Sequence, residues 1–300
     1  MISDLVQVRA LYPFESHWLD LDVGLDCVRM HYLDEGPRDA PSVVMLHGNP
    51  TWSFCYRTLI PELSKQYRVV VPDHVGCGLS DKPQRYPYTL AQHIENVERL
   101  IARLNLSNIT LVLHDWGGAI GMGYATHYPD NVKGFVVFNT AAFYQPRLPK
   151  RIKACRIWPF GDLAIRGFNG FARLALRWAT AHPERFTPQV RAGYLAPYNN
   201  WRNRIATLRF VQDIPFEKRH RSRRTLEEIE AGLLTFQNHP MLIIWGGQDF
   251  CFTTKDFLSE WQKRFPDAEV HVIEDAGHYV VEDAHEHIVP LMEAFLAAYE

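Results

Sequence analysis

Asp115 is the residue best placed in this chain for covalent chemistry. It ends a short β-branched, apolar run, Ile109-Thr-Leu-Val-Leu113, then His114, and it precedes Trp116-Gly-Gly118 and a small-residue segment with helical potential. A strand, a sharp turn and a helix around one residue form the frame of a nucleophile elbow. A serine there would need a base to take its proton. A carboxylate, with an ordinary pKa of about 3.9, is already ionised at neutral pH. It can attack an sp³ carbon directly and form an ester, so a base is needed only to activate the water that cleaves that ester.

Two more residues complete a nucleophile–acid–base order along the chain. Asp249 follows Ile244-Trp-Gly-Gly-Gln248, and His278 stands in Asp275-Ala-Gly-His-Tyr279, each just beyond an expected strand. His278 would activate water, and Asp249 would orient its ring and stabilise the imidazolium. A fourth piece is His47-Gly-Asn-Pro-Thr-Trp52, after an early strand. The backbone N–H groups of Asn49 and Trp116 could hold an oxyanion. Their side chains are neutral donors, suited to a leaving halide beside an anionic nucleophile.

These pieces need a scaffold that brings strand ends together. Val28–Leu33, Pro41–Gly48, Arg68–Asp73, Ile109–Leu113, Gly134–Asn139, Met241–Trp245 and Ala268–Ile273 read as strands, most of them apolar runs. Phe54–Ser64 reads as a helix despite Pro61, and Thr89 caps a helix with apolar spacing at Ile94, Val97, Leu100, Ile101 and Leu104. A last helix from about Asp283 is expected to kink at Pro290. Such alternation predicts an α/β fold with a mostly parallel sheet flanked by helices, its site at the C-terminal strand ends. Strand signals vanish between 141 and 234, where Pro, Trp, Phe and Arg are dense. The expected organisation is therefore a core in two parts, 1–140 and 235–300, with a helical cap at 141–234 inserted after the sixth strand.

The motifs His47–Trp52, Pro72-Asp-His-Val-Gly-Cys-Gly-Leu-Ser-Asp-Lys-Pro83, His114–Gly118, Trp245–Asp249 and Gly277-His278 resemble the haloalkane dehalogenase family of α/β-hydrolases over nearly the whole chain. The resemblance implies Asp115 as nucleophile, His278 as base and Trp116 with Asn49 as the halide-binding pair. One branch of that family takes its acid after the sixth strand. Asn139 stands there instead, which implies Asp249 as the acid, in the manner of the third subfamily. Hydrolytic dehalogenation is the first expectation. Asn139–Phe143, Ala196–Ile205 and Phe210–Pro215 are also similar to the β-lactone decarboxylases of bacterial long-chain olefin formation, so release of a cis-alkene and CO₂ is the alternative. Epoxide hydrolysis is a third reading, for which Tyr144, Tyr194 and Tyr198 could serve as acids.

Composition narrows the remaining possibilities. Apolar residues make up 47% and charged residues 22%, and 32 basic residues nearly balance 34 acidic ones, so no global field favours nucleic acid. No apolar run reaches the roughly 20 residues that span a bilayer. The start, Met1–Gln7, lacks a signal-peptide pattern, and the five cysteines are scattered without a C-x-x-C pair; both features predict a cytoplasmic protein. His285-Glu-His287 is not a metal motif, and no dinucleotide fingerprint follows the first strands. The expectation is a cofactor-free, metal-free enzyme acting on a small apolar substrate, with the basic segment 218–224 as a possible docking surface for a protein partner.

Overall fold

The structure is a computed structural model that describes residues 8–23 and 26–299. The leader expectation at Met1–Gln7 lies outside them. An eight-stranded sheet organises the fold. Its strands are β1 (His17–Val23), β2 (Asp26–Glu35), β3 (Ser42–Leu46), β4 (Arg68–Pro72), β5 (Ile109–Asp115), β6 (Val132–Thr140), β7 (Met241–Gly246) and β8 (Glu269–Ile273), in the spatial order β1-β2-β4-β3-β5-β6-β7-β8. The β1–β2 and β2–β4 pairs are antiparallel and the others parallel. All residues of β3, β5 and β7 are buried, as strands covered on both faces must be.

The helices are α1 (Ile60–Leu63), α2 (Leu90–Arg103), α3 (Trp116–His127), α4 (Lys150–Cys155), α5 (Gly170–Trp178), α6 (Pro188–Leu195), α7 (Ile205–Asp213), α8 (Arg223–Gly232), α9 (Ser259–Arg264) and α10 (Val280–Ala298). Alternate strand residues feed two cores. Val44, Leu46, Leu111 and Leu113 pack with Ile94 and Val97 of α2 and Ile120 of α3. Val43, Met45, Val112 and Ile244 pack with Ile288, Met292 and Phe295 of α10. Between β6 and β7 every described regular element is helical. Among the described residues no helix is long and apolar enough to cross a membrane.

Three expectations need correction. Phe54–Ser64 is not one helix: a 3₁₀ turn at Ser53–Tyr56 and the short α1 share it. Pro61 has no N–H to give the Arg57 carbonyl, and the turn is held by tertiary bonds, Ser53 N–H to Asp73 at 2.7 Å and Tyr56 O–H to the Leu46 carbonyl at 3.0 Å. The last helix begins at Val280, before Asp283, and its non-helical residue is Ala284, not Pro290. The first turn is anchored by Asp283 to neighbouring loops, which sets it off from the rest of the helix. Strand β1 had no counterpart in the sequence reading; its polar alternation, His-Trp-Leu-Asp-Leu-Asp-Val, suits a sheet edge.

Candidate active site

Asp115 sits at the end of β5 with φ 51° and ψ −122°, a strained conformation that turns its side chain out of the sheet toward the helical side. Neighbours hold the strain in place. The Thr140 hydroxyl donates to the Asp115 carbonyl. A Cβ at Gly118 would meet that hydroxyl oxygen at 1.9 Å, and one at Gly48 would meet Asp115 Oδ1 at 2.1 Å. Small residues here therefore admit the carboxylate itself.

The two carboxylate oxygens have different surroundings. Oδ1 accepts the Asn49 backbone N–H at 2.6 Å, and the Trp116 N–H also donates to the carboxylate. Oδ2 lies 3.8 Å from His278 Nε2. Burial raises the Asp115 pKa above its ordinary value, and the His278 charge and the two N–H donors offset only part of this.

His278 follows β8 on a loop and is itself firmly held. Its Nδ1–H donates to Asp249 Oδ2 at 2.8 Å, which directs Nε2 at Asp115. The ring stacks on Phe252, with centroids 5.5 Å apart. His114, kept neutral by burial with its pKa lowered to about 3, donates Nε2–H to the His278 carbonyl at 2.8 Å. Burial penalises the His278 cation, but the Asp249 carboxylate, through charge and hydrogen bond, and Asp115 outweigh it, so its pKa is raised. Asp249 is lowered: burial opposes its ionisation, while the His278 charge and hydrogen bond and the Cys251 and Phe252 N–H groups overcome that. Those N–H groups reach Oδ1 at 2.6 and 3.1 Å.

All five expected site residues, Asn49, Asp115, Trp116, Asp249 and His278, thus come together. The Asn49 side chain departs from its expected orientation. Its amide Nδ2 donates to the Thr207 carbonyl on α7 at 3.2 Å, so one of its two N–H groups is already engaged. The Trp116 indole packs on Phe210 and lines the cavity.

Sequence reading missed the part that Asn139 plays, noting only the carboxylate it lacks. Its Nδ2 donates to Asp249 Oδ2 and to the Gly246 carbonyl, both at 3.1 Å, and its Oδ1 accepts the Gly246 N–H at 2.8 Å. It buttresses Asp249 and joins β6 to β7. Asp283 was missed as well. It accepts from Gly277 N–H at 2.8 Å, Ala181 N–H at 2.9 Å and the Thr180 hydroxyl, fixing the loop that carries His278. Nothing in local sequence marks either residue, because each acts through a distant partner.

The site opens into a large apolar cavity whose lining includes Phe143, Leu148, Ile152, Phe171, Val211 and Phe257. Two tyrosines considered as acids face elsewhere: Tyr194 O–H donates to Glu282 and Tyr198 O–H to the Thr51 carbonyl, both at 3.0 Å. Tyr144 does line the cavity, under the Arg223 guanidinium. In the basic segment 218–224, Arg221, Arg223 and Arg224 pair with Asp213, Glu227 and Glu228.

A family model for the alpha/beta hydrolase fold matches residues 41–284, and the chain belongs to that family. Within it, the chain is similar to enzymes of two names. It is 44% identical over 296 residues to a cis-3-alkyl-4-alkyloxetan-2-one decarboxylase of Shewanella oneidensis, covering 97% of this chain and 91% of the relative. It is equally identical to one of Xanthomonas campestris, covering 95% and 97%. Haloalkane dehalogenase 2 of Mycobacterium tuberculosis is 33% identical over 294 residues, covering 96% and 97%. Among solved structures, a putative ancestral haloalkane dehalogenase superposes with a TM-score of 0.84 at 26% identity, covering 94% of this chain and 99% of that one. The fold is thus that of a haloalkane-dehalogenase-like hydrolase.

Proposed function

We propose that this enzyme opens cis-3,4-dialkyl oxetan-2-ones, four-membered β-lactones, and releases a cis-alkene and CO₂, with Asp115 as nucleophile and residues 141–234 as a cap over the site. The observation that carries this reading is the near-full-length similarity, at 44% identity, to two proteins named as such decarboxylases, against 33% to a dehalogenase. It reverses the order of the two sequence expectations.

The chemistry follows from the two carboxylate environments. Oδ2 of Asp115 attacks C4, the ring carbon bonded to oxygen. The C4–O bond breaks, its electron pair goes to the ring oxygen, and the substrate becomes a carboxylate joined to Asp115 as an alkyl ester. The C3–carboxylate bond then breaks, CO₂ leaves, its pair forms C3=C4, and the C4–Oδ2 bond returns its electrons to Asp115. No water is consumed. Inversion at C4 followed by anti departure turns a cis-lactone into a cis-alkene. Oδ1 stays against the Asn49 N–H group throughout. His278, its cation favoured by Asp249, faces the carboxylate formed at ring opening and stabilises it.

Dehalogenation is the second reading, favoured by the Trp116 indole at the cavity. The test is to supply a synthetic cis-dialkyl β-lactone and, separately, a panel of bromoalkanes. Alkene and CO₂ in equal amounts are expected, falling about 10⁴-fold or more in Asp115→Ala, as for loss of a covalent nucleophile. Bromide release without alkene would transfer the assignment to the second reading, and folded protein active on neither substrate would reject both.

A further inference from the structure

Charge and apolar surface are distributed unevenly over this molecule. Between residues 141 and 178 stand eight Lys/Arg and the single acidic residue Asp162, in a chain of formal charge −2. Arg147, Arg156 and Arg166 pair with Asp256, Glu217 and Asp162. Lys150, Arg151, Lys153, Arg173 and Arg177 have no carboxylate partner among the described residues.

The same stretch exposes large apolar side chains. Trp158 is 78% and Phe168 75% exposed, and Ile157, Phe160, Leu163 and Trp178 are also open to solvent. Backbone bonds from Gly161 to Ile157, Leu163 to Pro159 and Phe168 to Leu163 coil 157–168 into consecutive turns, so all of these side chains but Trp178, which ends α5, project from one compact surface segment. Both flanks of this stretch, at Arg151-Ile152 and at Trp178, adjoin the cavity. The Arg151 guanidinium lies 4.6 Å from the Trp178 ring centroid and 5.8 Å from that of Phe250, and Phe250 and Ile152 line the cavity.

We propose that this face, residues 150–178 with Phe250, docks on an anionic lipid bilayer and sets the cavity mouth against the membrane. Unpaired cations interleaved with exposed Trp, Phe and Leu match what an anionic headgroup layer takes up: aromatic rings at the interface, basic groups at the phosphates. The cargo argument rests on the proposed function. A dialkyl lactone and its alkene product both partition into hydrocarbon, so a mouth on the membrane collects one and discharges the other without passage through water.

The experiment is flotation of the whole chain with phosphatidylcholine vesicles, with and without phosphatidylglycerol, over a range of salt. Binding is expected only to the anionic vesicles and should weaken as salt rises. Arg173→Glu/Arg177→Glu should weaken it by about 20-fold or more, taking about fivefold for each basic residue. Trp158→Ser/Phe168→Ser should abolish it, with circular dichroism confirming the fold of both variants. Both should keep full activity on a short-chain lactone dissolved in water and lose rate on a long-chain lactone supplied in vesicles. Equal binding to neutral vesicles, no binding at all, or binding unchanged in the variants would overturn the proposal. So would gel filtration showing that Trp158→Ser/Phe168→Ser converts an oligomer to a monomer, because a second copy would then cover the face. Vesicle binding without turnover of any lactone would reject the proposed function and leave the docking surface standing.

Discussion

His278 is asked to do opposite things by the two reactions considered, and pH can separate them. Ester hydrolysis needs the neutral ring as a base, so dehalogenation limited by that step rises with pH through the His278 pKa. Lactone opening uses the cation, so alkene formation falls through the same range, which lies above the ordinary 6.5. Both reactions fail at acid pH as Asp115 protonates, on a limb above its ordinary 3.8. We expect the alkaline limb of alkene formation to descend; pH–rate profiles on both substrates measure its sign. Asn139 offers a second residue-scale test. Asn139→Ala removes two donations and one acceptance at Asp249 and Gly246, all buried. About 2–4 kcal/mol of stability should be lost, read by denaturant melts. The alkaline limb should also move, since Asp249 would be less firmly placed against the imidazole.

Elements explain why the core was readable and where reading failed. Strands β3, β5 and β7 are buried on both faces, so they appear in sequence as apolar runs, and α2 between β4 and β5 keeps a clear 3.6-residue period. Thr89 was legible as a cap because a local bond marks it, its hydroxyl accepting the Gln92 N–H at 3.2 Å. Residues 53–64 misled because burial of 53–57 erases periodicity there, leaving nothing to show that Asp73 and Leu46 hold the turn. The candidate site was legible as residue types after strand ends. The orientation of the Asn49 amide was not, because it depends on a carbonyl 158 positions away. The start of α10 shows the same limit. Asp283 gathers three backbone N–H groups and a hydroxyl from two loops. Asp283→Ala strands those donors, and we expect a loss of about 3–5 kcal/mol in urea unfolding, with slower turnover as the His278 loop loosens.

Across the whole molecule, a few buried charged groups fasten the helical excursion to the sheet. Arg57 forms a two-pronged pair with Glu282 at 2.7 and 2.8 Å, and Tyr194 of α6 donates to the same carboxylate. Asp213 of α7 accepts the Leu90 N–H at the start of α2 and the Ser222 hydroxyl. Arg57→Met would leave Glu282 buried with a single donor, and we expect it to cost about 3–5 kcal/mol, measured as a lower denaturant midpoint. Asp283 and the Tyr279 N–H, which reaches the Ala179 carbonyl at 2.8 Å, tie residues 179–182 to the loop that carries His278. Lifting residues 179–182 away from that loop would break the bonds of Thr180, Ala181 and His182 to Asp283 and of Tyr279 to Ala179, leaving Asp283 with Gly277 alone among these donors. The helical excursion thus shares in holding the loop beneath the imidazole, so a disturbance confined to residues 179–182 would be felt at His278 without touching its ring.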